Sequence, residues 1–250
     1  MEGTNTAVLR ALAILDYLST SQEGHRLKDV ASVLKLPEST AHRLLNSLAA
    51  RGYVQQSPRD QTYRIGWKAV TLARAVDREV RLVESVHPYL EQLAKKTGFT
   101  ANLAVLQGNQ VMYLDCVVPP QSIIALYTTP GSLMPAHATS LGKVLLAGLP
   151  ASEKEAMIQQ LDFDPFTSST VVNPAALIAS LDKIQAQGYA IDHGEYVPDV
   201  NCAAAPVLYA SGEVVAAISV TARAAVFPPE KEAGVVEILL EAAREASRRT

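Results

Sequence analysis

Four side chains in the second half of the chain have the types that catalysis or metal binding requires: His137, Asp192, His193 and Cys202. A thiol beside a base can act as a nucleophile, and all three residue types are zinc ligands. However, Cys202 lies among alanines with no base next to it, and the four positions match no standard zinc-ligand spacing. The sequence therefore favours a buried or pocket-lining thiol and predicts no metal site. His137 is expected to order the turn before a helix that starts near Ser140.

Other local signs of enzyme chemistry are missing from the sequence. It contains no GxGxxG, no P-loop, no HExxH and no GxSxG, so no cofactor and no catalytic residue is predicted. Lys143 keeps two interpretations, because it can bind an acid ligand or be an ordinary solvated lysine on a helix. An enzyme that uses Cys202 and Asp192 remains the alternative function, with the N-terminal third as an assembly module.

A second group of residues has the chemistry of DNA recognition. The spacing of Ala41, Leu44, Leu45 and Leu48 predicts a helix over about 38–51 with one buried face. The opposite face carries side chains that bond to phosphates or base edges. Its members are Ser39, Thr40, His42, Arg43, Asn46 and Ser47.

The elements around this helix predict a winged helix-turn-helix. One helix is predicted over about 6–19, with Val8, Leu9, Leu12, Leu15 and Leu18 on its buried face, and another over about 27–34. Pro37 breaks the chain before the third helix, and Gly52 ends that helix. Two short strands around Ser57–Asp60 form the wing. Lys28, Arg59 and Arg64 are the further DNA-contact candidates.

The remaining elements predict an α+β fold. Residues 67–97 have a helical pattern, of which the first half is a linker and Pro88 is expected in the first turn of a separate helix. Strands and helices then alternate without a strict βαβ rhythm, which indicates a largely antiparallel sheet. The strands are predicted at 101–106, 111–118, 122–127, 189–193, 203–209 and 214–221, and a helix over about 229–247 closes the chain.

Composition places these elements in a folded, two-part protein. The 250 residues are 48% hydrophobic and 19% charged, which favours a packed core. Residues 1–80 hold 11 Lys and Arg against 8 Asp and Glu, whereas residues 81–250 hold 11 against 17. The first part therefore suits DNA better than the second. Two cysteines, no signal peptide and no long apolar run predict a soluble, cytoplasmic protein.

Four motifs resemble those of the IclR family of bacterial transcriptional regulators, and together they extend over nearly the whole chain. They are Leu36–Leu45, Pro135–Ala147, the region from Gln187 through Asp192 and Glu195 to Cys202–Val207, and Val215–Val220. The chain departs from the usual pattern at Phe99 and Asp199, and it keeps one acid, Glu195, where members often have two.

The resemblance implies a winged helix-turn-helix domain over 1–67, a linker helix over 68–81, and a GAF-like effector-binding and oligomerisation domain over 82–250. It also implies a homodimer, or a dimer of dimers, on palindromic double-stranded operator DNA. By motif position, the effector site comprises the backbone at Ser140 and Leu141, the polar side chains of Asp192, Cys202, Ser219 and Thr221, and an apolar wall of Ile123, Leu126 and Met134.

The main interpretation is therefore a transcriptional regulator whose operator binding responds to a small organic effector. Small acids and aromatic catabolites are the range that the family implies. Whether the protein represses or activates, which effector it binds and which genes it controls stay open in the sequence.

Overall fold

A computed structural model describes residues 6–21, 23–73, 77–120 and 129–250. The chain divides into two compact units, Met1–Val80 and Arg81–Thr250. The finer boundaries predicted above remain predictions.

The N-terminal unit has the element order of a winged helix-turn-helix. Its helices are α1 (Thr6–Leu18), α2 (Leu27–Val33), α3 (Glu38–Ala50) and α4 (Lys68–Ala73), and its two-stranded antiparallel wing is β1 (Val54–Gln56) and β2 (Tyr63–Ile65). The turn between α2 and α3 is tight because Lys35 adopts a left-handed conformation and the Leu36 N–H bonds to the Ala31 carbonyl. Pro37 then precedes the first residue of α3. The predicted winged fold is confirmed.

The predicted buried face of α1 is partly wrong. Ile14 and Leu18 are fully buried, but Val8, Leu9 and Leu12 are about half exposed. Ile14 and Leu18 belong to the core of the winged module, which covers only the second half of the helix. An apolar stripe indicates a helix face that can be buried, and it does not indicate how much of that face a neighbour reaches.

The C-terminal unit is an antiparallel sheet with helices on both faces, which confirms the α+β prediction. Among the described residues the strand order is β5-β4-β3-β8-β7-β6. The strands are β3 (Thr100–Gln107), β4 (Gln110–Val117), β5 (Leu133–Pro135), β6 (Ala190–His193), β7 (Val200–Leu208) and β8 (Val214–Arg223), and the helices are α5 (Asp77–Thr97), α6 (Ser140–Ala147), α7 (Ala151–Ile158), α8 (Pro174–Gln187) and α9 (Pro229–Ser247).

Successive residues of each strand place their side chains on opposite faces of this sheet. Ala203 and Ala205 of β7 pack with α5 and α9, whereas Ala204 between them packs with α6 and α8. This alternation follows from the two-residue repeat of a strand. Alanine side chains allow the helices to approach the sheet closely. The face covered by α6 and α8 is the one that carries the polar residues predicted to bind the effector.

The elements of this unit differ from the sequence predictions at α5 and β5. Pro88 lies inside α5, so the predicted break there is wrong. The proline is exposed while Val86 and Leu90 are fully buried, and packing of the buried side chains holds the helix through the position where a backbone bond is lost. The predicted strand at 122–127 lies outside the described residues, and β5 was not predicted.

None of the helices in the described part of the chain is both long enough and apolar enough to span a lipid bilayer.

Candidate ligand cavity and nucleic-acid surface

A cavity of about 50 Å3 lies between the start of α6 and the sheet. All the predicted effector residues that the structure describes line it: Met134, Ser140, Leu141, Asp192, Cys202, Ser219 and Thr221. Ile123 and Leu126 lie outside the described residues. Sequence reasoning missed the other lining residues, which are Tyr113, Thr139, Tyr196, Val197 and Val200.

The start of α6 presents two free backbone donors to this cavity. Thr139 caps the helix, because its hydroxyl accepts the Gly142 N–H at 3.2 Å. Ser140 and Leu141 are the first two residues of α6, so their N–H groups have no acceptor within the helix. A Cβ on Gly142 would lie 2.2 Å from the Ala136 carbonyl oxygen, so glycine is what lets the preceding 3-10 turn (Ala136–Ala138) pack against the helix. These free donors at a helix start favour an anionic ligand group.

The strands opposite α6 contribute a row of polar side chains. Asp192, Cys202 and Thr221 are directly opposite one another on β6, β7 and β8, so they share one face of the sheet. The Cys202 Sγ lies 3.4 Å from the Thr221 Oγ1. One row further, Ser219 faces Asn102 of β3. The register thus gathers residues that are far apart in the sequence.

Asn102, which sequence reasoning missed, supports two of the residues that line the cavity. It is completely buried, and its amide Nδ2 donates to the Ser219 Oγ at 3.2 Å and to the Thr221 Oγ1 at 3.3 Å. A hydroxyl that accepts one hydrogen bond can still donate its own proton. Asn102 therefore holds both hydroxyls in place and leaves each its own proton to donate, and the Thr221 hydroxyl also lies beside the Cys202 Sγ. No local signal marks it, because its partners lie more than a hundred residues further along the chain.

Asp192 is the acidic residue of the cavity. It is 4% exposed, and its Oδ1 accepts the Glu195 backbone N–H at 2.7 Å. Burial raises the pKa of Asp192 to about 7, although the hydrogen bond from Glu195 opposes this change. At neutral pH this side chain can therefore either accept a hydrogen bond from a ligand or donate one to it.

Lys143 is not a solvated helix lysine, and that interpretation is corrected. It is 3% exposed, and its Nζ donates to Oε1 of Glu195, which is itself buried. All eight residues of α6 are buried, so the Lys143 side chain lies inside the protein. A buried lysine needs an anionic partner, and Glu195 supplies it from the loop after β6.

The structure gives the nucleophile and metal alternatives no support. Burial raises the pKa of the Cys202 thiol, which disfavours the reactive thiolate. His137 is buried, and its Nε2 lies 3.2 Å from the Asp164 carbonyl oxygen, while His193 pairs with Glu232 at 2.6 Å. Within the described ranges no three histidine, cysteine or acidic side chains are close enough together to hold a metal ion.

The outer face of α3 is the candidate nucleic-acid surface. Ala41 and Leu45 are buried on the inner side, whereas Ser39, His42 and Arg43 are exposed, as helical spacing predicts, and Thr40 is half-buried. Asn46 extends the same stripe, and its Nδ2 lies 3.4 Å from the His42 Nε2. Sequence analysis placed Asn46 on this face without including it among the contact candidates, although asparagine is a residue that reads adenine.

The basic residues around α3 differ in their solvent exposure and in their ion pairing. Lys28 of α2 and Arg59 in the wing turn are exposed. Arg64 is half-buried, and its Nη2 lies 3.6 Å from Oδ2 of Asp60. The hydroxyl of Thr62 holds the pKa of Asp60 well below its usual range, so this carboxylate stays charged beside Arg64. Arg59 is therefore better placed than Arg64 to reach DNA.

A winged helix-turn-helix joined to an α+β domain with a polar cavity defines a DNA-binding transcriptional regulator with a C-terminal effector domain. Family comparison agrees: the IclR helix-turn-helix domain matches residues 7–58, and the domain described as bacterial transcriptional regulator IclR C-terminal matches residues 74–248. The chain belongs to the IclR family. It is a regulator and not an enzyme, so the alternative based on Cys202 and Asp192 is set aside.

Similar proteins extend over nearly the same length. The HTH-type transcriptional regulator BhcR of Paracoccus denitrificans is 36% identical over 241 residues, which cover 96% of this chain and 86% of BhcR. The crystal structure of Thermotoga maritima IclR has a TM-score of 0.78 at 28% identity and covers 96% of this chain and 97% of that one. An IclR homologue from Microbacterium hydrocarbonoxydans, crystallised with 4-hydroxybenzoate, has a TM-score of 0.75 at 24% identity, with 98% of each chain covered.

Proposed function

We propose that the cavity beside α6 binds a small organic acid or aromatic catabolite, and that this binding modulates how the winged domain binds its operator. The observation that carries the proposal is the set of donors around one cavity. The free N–H groups of Ser140 and Leu141 come from one side, and the hydroxyls of Ser219 and Thr221 come from the other. Backbone and hydroxyl donors that line one cavity suit a carboxylate.

The chemistry of the cavity also limits the ligand. Met134 and Tyr113 contribute apolar surface to the cavity wall, which suits the carbon skeleton of an organic acid. Asp192, which also lines the cavity, suits a hydroxyl or a second polar group of the ligand. The homologue with bound 4-hydroxybenzoate supports a carboxylate with a hydroxyl at its opposite end as one candidate class.

For DNA, we propose that α3 enters the major groove of a palindromic operator. The proposed base or phosphate contacts are Ser39, Thr40, His42, Arg43 and, in addition, Asn46, with Lys28, Arg59 and Arg64 as phosphate contacts. A palindrome requires two winged domains, so we propose a homodimer or a dimer of dimers. Mass photometry of the protein with and without operator measures the number of chains bound.

The test of the function is a selection of source-genome fragments by the purified protein at about 0.15 M salt, which suppresses non-specific phosphate binding. We expect enrichment of one palindromic site, and reduced or increased retention when a carboxylate panel is added. A lack of enrichment in every condition would contradict the proposal that the protein regulates transcription by binding an operator.

Ser219→Ala should weaken carboxylate binding about 5- to 10-fold, because it removes one donor to the ligand, worth about 1 kcal/mol. Operator affinity in the absence of ligand should not change. Titration calorimetry with the carboxylate that binds most tightly measures the effect. Ser168→Ala, which changes an exposed serine outside the cavity, is the control. Equal affinity for the Ser219 and Ser168 variants would exclude Ser219 from the site.

A further inference from the structure

Three ionisable side chains are buried together next to the cavity, and one of them, Asp192, lines it. Lys143 is 3% exposed, Asp192 is 4% exposed and Glu195 is 8% exposed. Lys143 donates to Oε1 of Glu195, and the Glu195 backbone N–H donates to Oδ1 of Asp192. The cluster thus joins α6, β6 and the loop after β6. It contains two acids and one base.

This cluster has room for one more proton. With both acids ionised its net charge is −1, and Oε2 of Glu195 is buried without a hydrogen-bond partner. Burial also raises the pKa of Asp192 to about 7. Unpaired negative charge in a buried site is unfavourable, so the cluster is most stable when one carboxyl group is protonated.

Among the other titratable groups near Asp192, His193 adds positive charge, and it lowers the pKa of Asp192 less than Lys143 does. Cys202 of β7 and Tyr113 of β4 stay neutral, because burial raises the pKa of each. His193, next to Asp192 on β6, is exposed and held by Glu232 of α9. Tyr196 also lines the cavity. Lys143 is therefore the cation buried with Asp192, and it is already paired with Glu195.

A carboxylate ligand at Ser140 and Leu141 would bring a second negative charge into a cavity that Asp192 also lines. We propose that the cavity binds its acid ligand together with one proton, which Asp192 takes up, and that the buried Lys143–Glu195 pair sets the pH range of this binding. The step moves one proton from the solvent to the Asp192 carboxylate and changes no other covalent bond. The proposal rests on the proposed function of the same cavity.

The test uses acetate, lactate, benzoate and 4-hydroxybenzoate, and follows the tightest binder by calorimetry from about pH 6 to about pH 8. These acids stay ionised as carboxylates across the range, so the titration of the ligand does not contribute. Above the pKa of Asp192, we expect affinity to fall by about tenfold per pH unit. Calorimetry in two buffers with different ionisation enthalpies should give an uptake close to one proton at the upper end.

Two outcomes separate this proposal from the proposed function. Binding with the same affinity at every pH and without proton uptake overturns proton coupling and leaves carboxylate binding intact. Failure of all four acids to bind at any pH overturns carboxylate binding itself, and proton coupling with it.

Two variants test whether Asp192 takes up the proton and whether the Lys143–Glu195 pair sets the pH range. Asp192→Asn should bind the ligand without proton uptake and with little pH dependence, because the amide cannot titrate. Glu195→Gln should move the pH profile to lower pH, since it removes a negative charge that raises the pKa of Asp192 and frees Lys143 to stabilise the Asp192 carboxylate.

A purely structural role for Glu195 predicts a different result from Glu195→Gln, namely an equal loss of affinity at every pH. Glu232→Gln is the matched control, because Glu232 pairs with exposed His193 rather than with the buried lysine. The Glu232→Gln variant should show the same pH dependence of ligand affinity as the wild-type protein. Thermal unfolding of each variant identifies any loss of folding, and a Glu195→Gln profile that stays at the native pH would overturn the role of the pair.

Discussion

Arg43→Ala weakens operator binding about 10- to 100-fold, corresponding to the loss of one forked contact worth about 1–3 kcal/mol. Arg43 lies at the centre of the exposed stripe on α3, and its guanidinium makes no ion pair within the described residues. Its five donors can fork onto guanine or phosphate. Fluorescence anisotropy with the operator recovered from the genome measures the change, and carboxylate affinity should stay at the native value.

The control is Arg10→Ala, which removes the same charge from an exposed position on α1. We expect it to change operator affinity by less than about threefold, since it alters only the general attraction between protein and phosphates. Operator variants then separate the two possible contacts of Arg43. A lost base contact relaxes the preference at one position, whereas a lost phosphate contact weakens all sequences alike. Native affinity of the Arg43 variant would remove this residue from the interface.

Lys143→Met lowers the free energy of unfolding by about 3–5 kcal/mol, because it leaves the buried Glu195 carboxylate without its cation. The paired nitrogen and oxygen atoms are almost inaccessible to solvent, so water cannot replace the lost partner. Urea unfolding of the wild-type and variant proteins measures the loss.

The double variant Lys143→Met with Glu195→Gln should recover most of this stability, because it replaces the ion pair with neutral side chains of similar size. Lys183→Met, on an exposed position of α8, is the matched control and should change stability by less than about 0.5 kcal/mol. If Lys143→Met costs no more than Lys183→Met, the Lys143–Glu195 pair does not form in solution.

Local patterns were sufficient to predict the DNA-binding half. The three-to-four-residue spacing of Ala41, Leu44 and Leu45 identifies the inner face of α3, and therefore the outer face that carries His42 and Arg43. Helix period, a proline break and a glycine stop all act over a few residues, so each can be read without knowing the rest of the fold. The exposure of Val8 on α1 was not predictable in this way, since it depends on which neighbours reach that helix.

Local patterns were not sufficient to predict the cavity beside α6. The family resemblance supplied Ser140, Asp192, Cys202 and Ser219 as positions, but nothing in the local sequence distinguishes Asn102 from any other strand residue. Its role arises because β3 and β8 are neighbours in the sheet, which brings its amide to two hydroxyls. Strand order is a property of the whole domain.

The sequence by itself therefore determined the winged helix-turn-helix and the α+β class, because these features depend on periodicity and on turn residues that lie close together in the chain. The resemblance to the IclR family, and not any local pattern, indicated the cavity positions. Only the tertiary structure decided that Lys143 is buried, that Glu195 is its partner and that both lie beside Asp192. These charges are placed by contacts between residues up to 52 positions apart. Burial and pairing set their energies, and neither quantity exists until the sheet and α6 have packed.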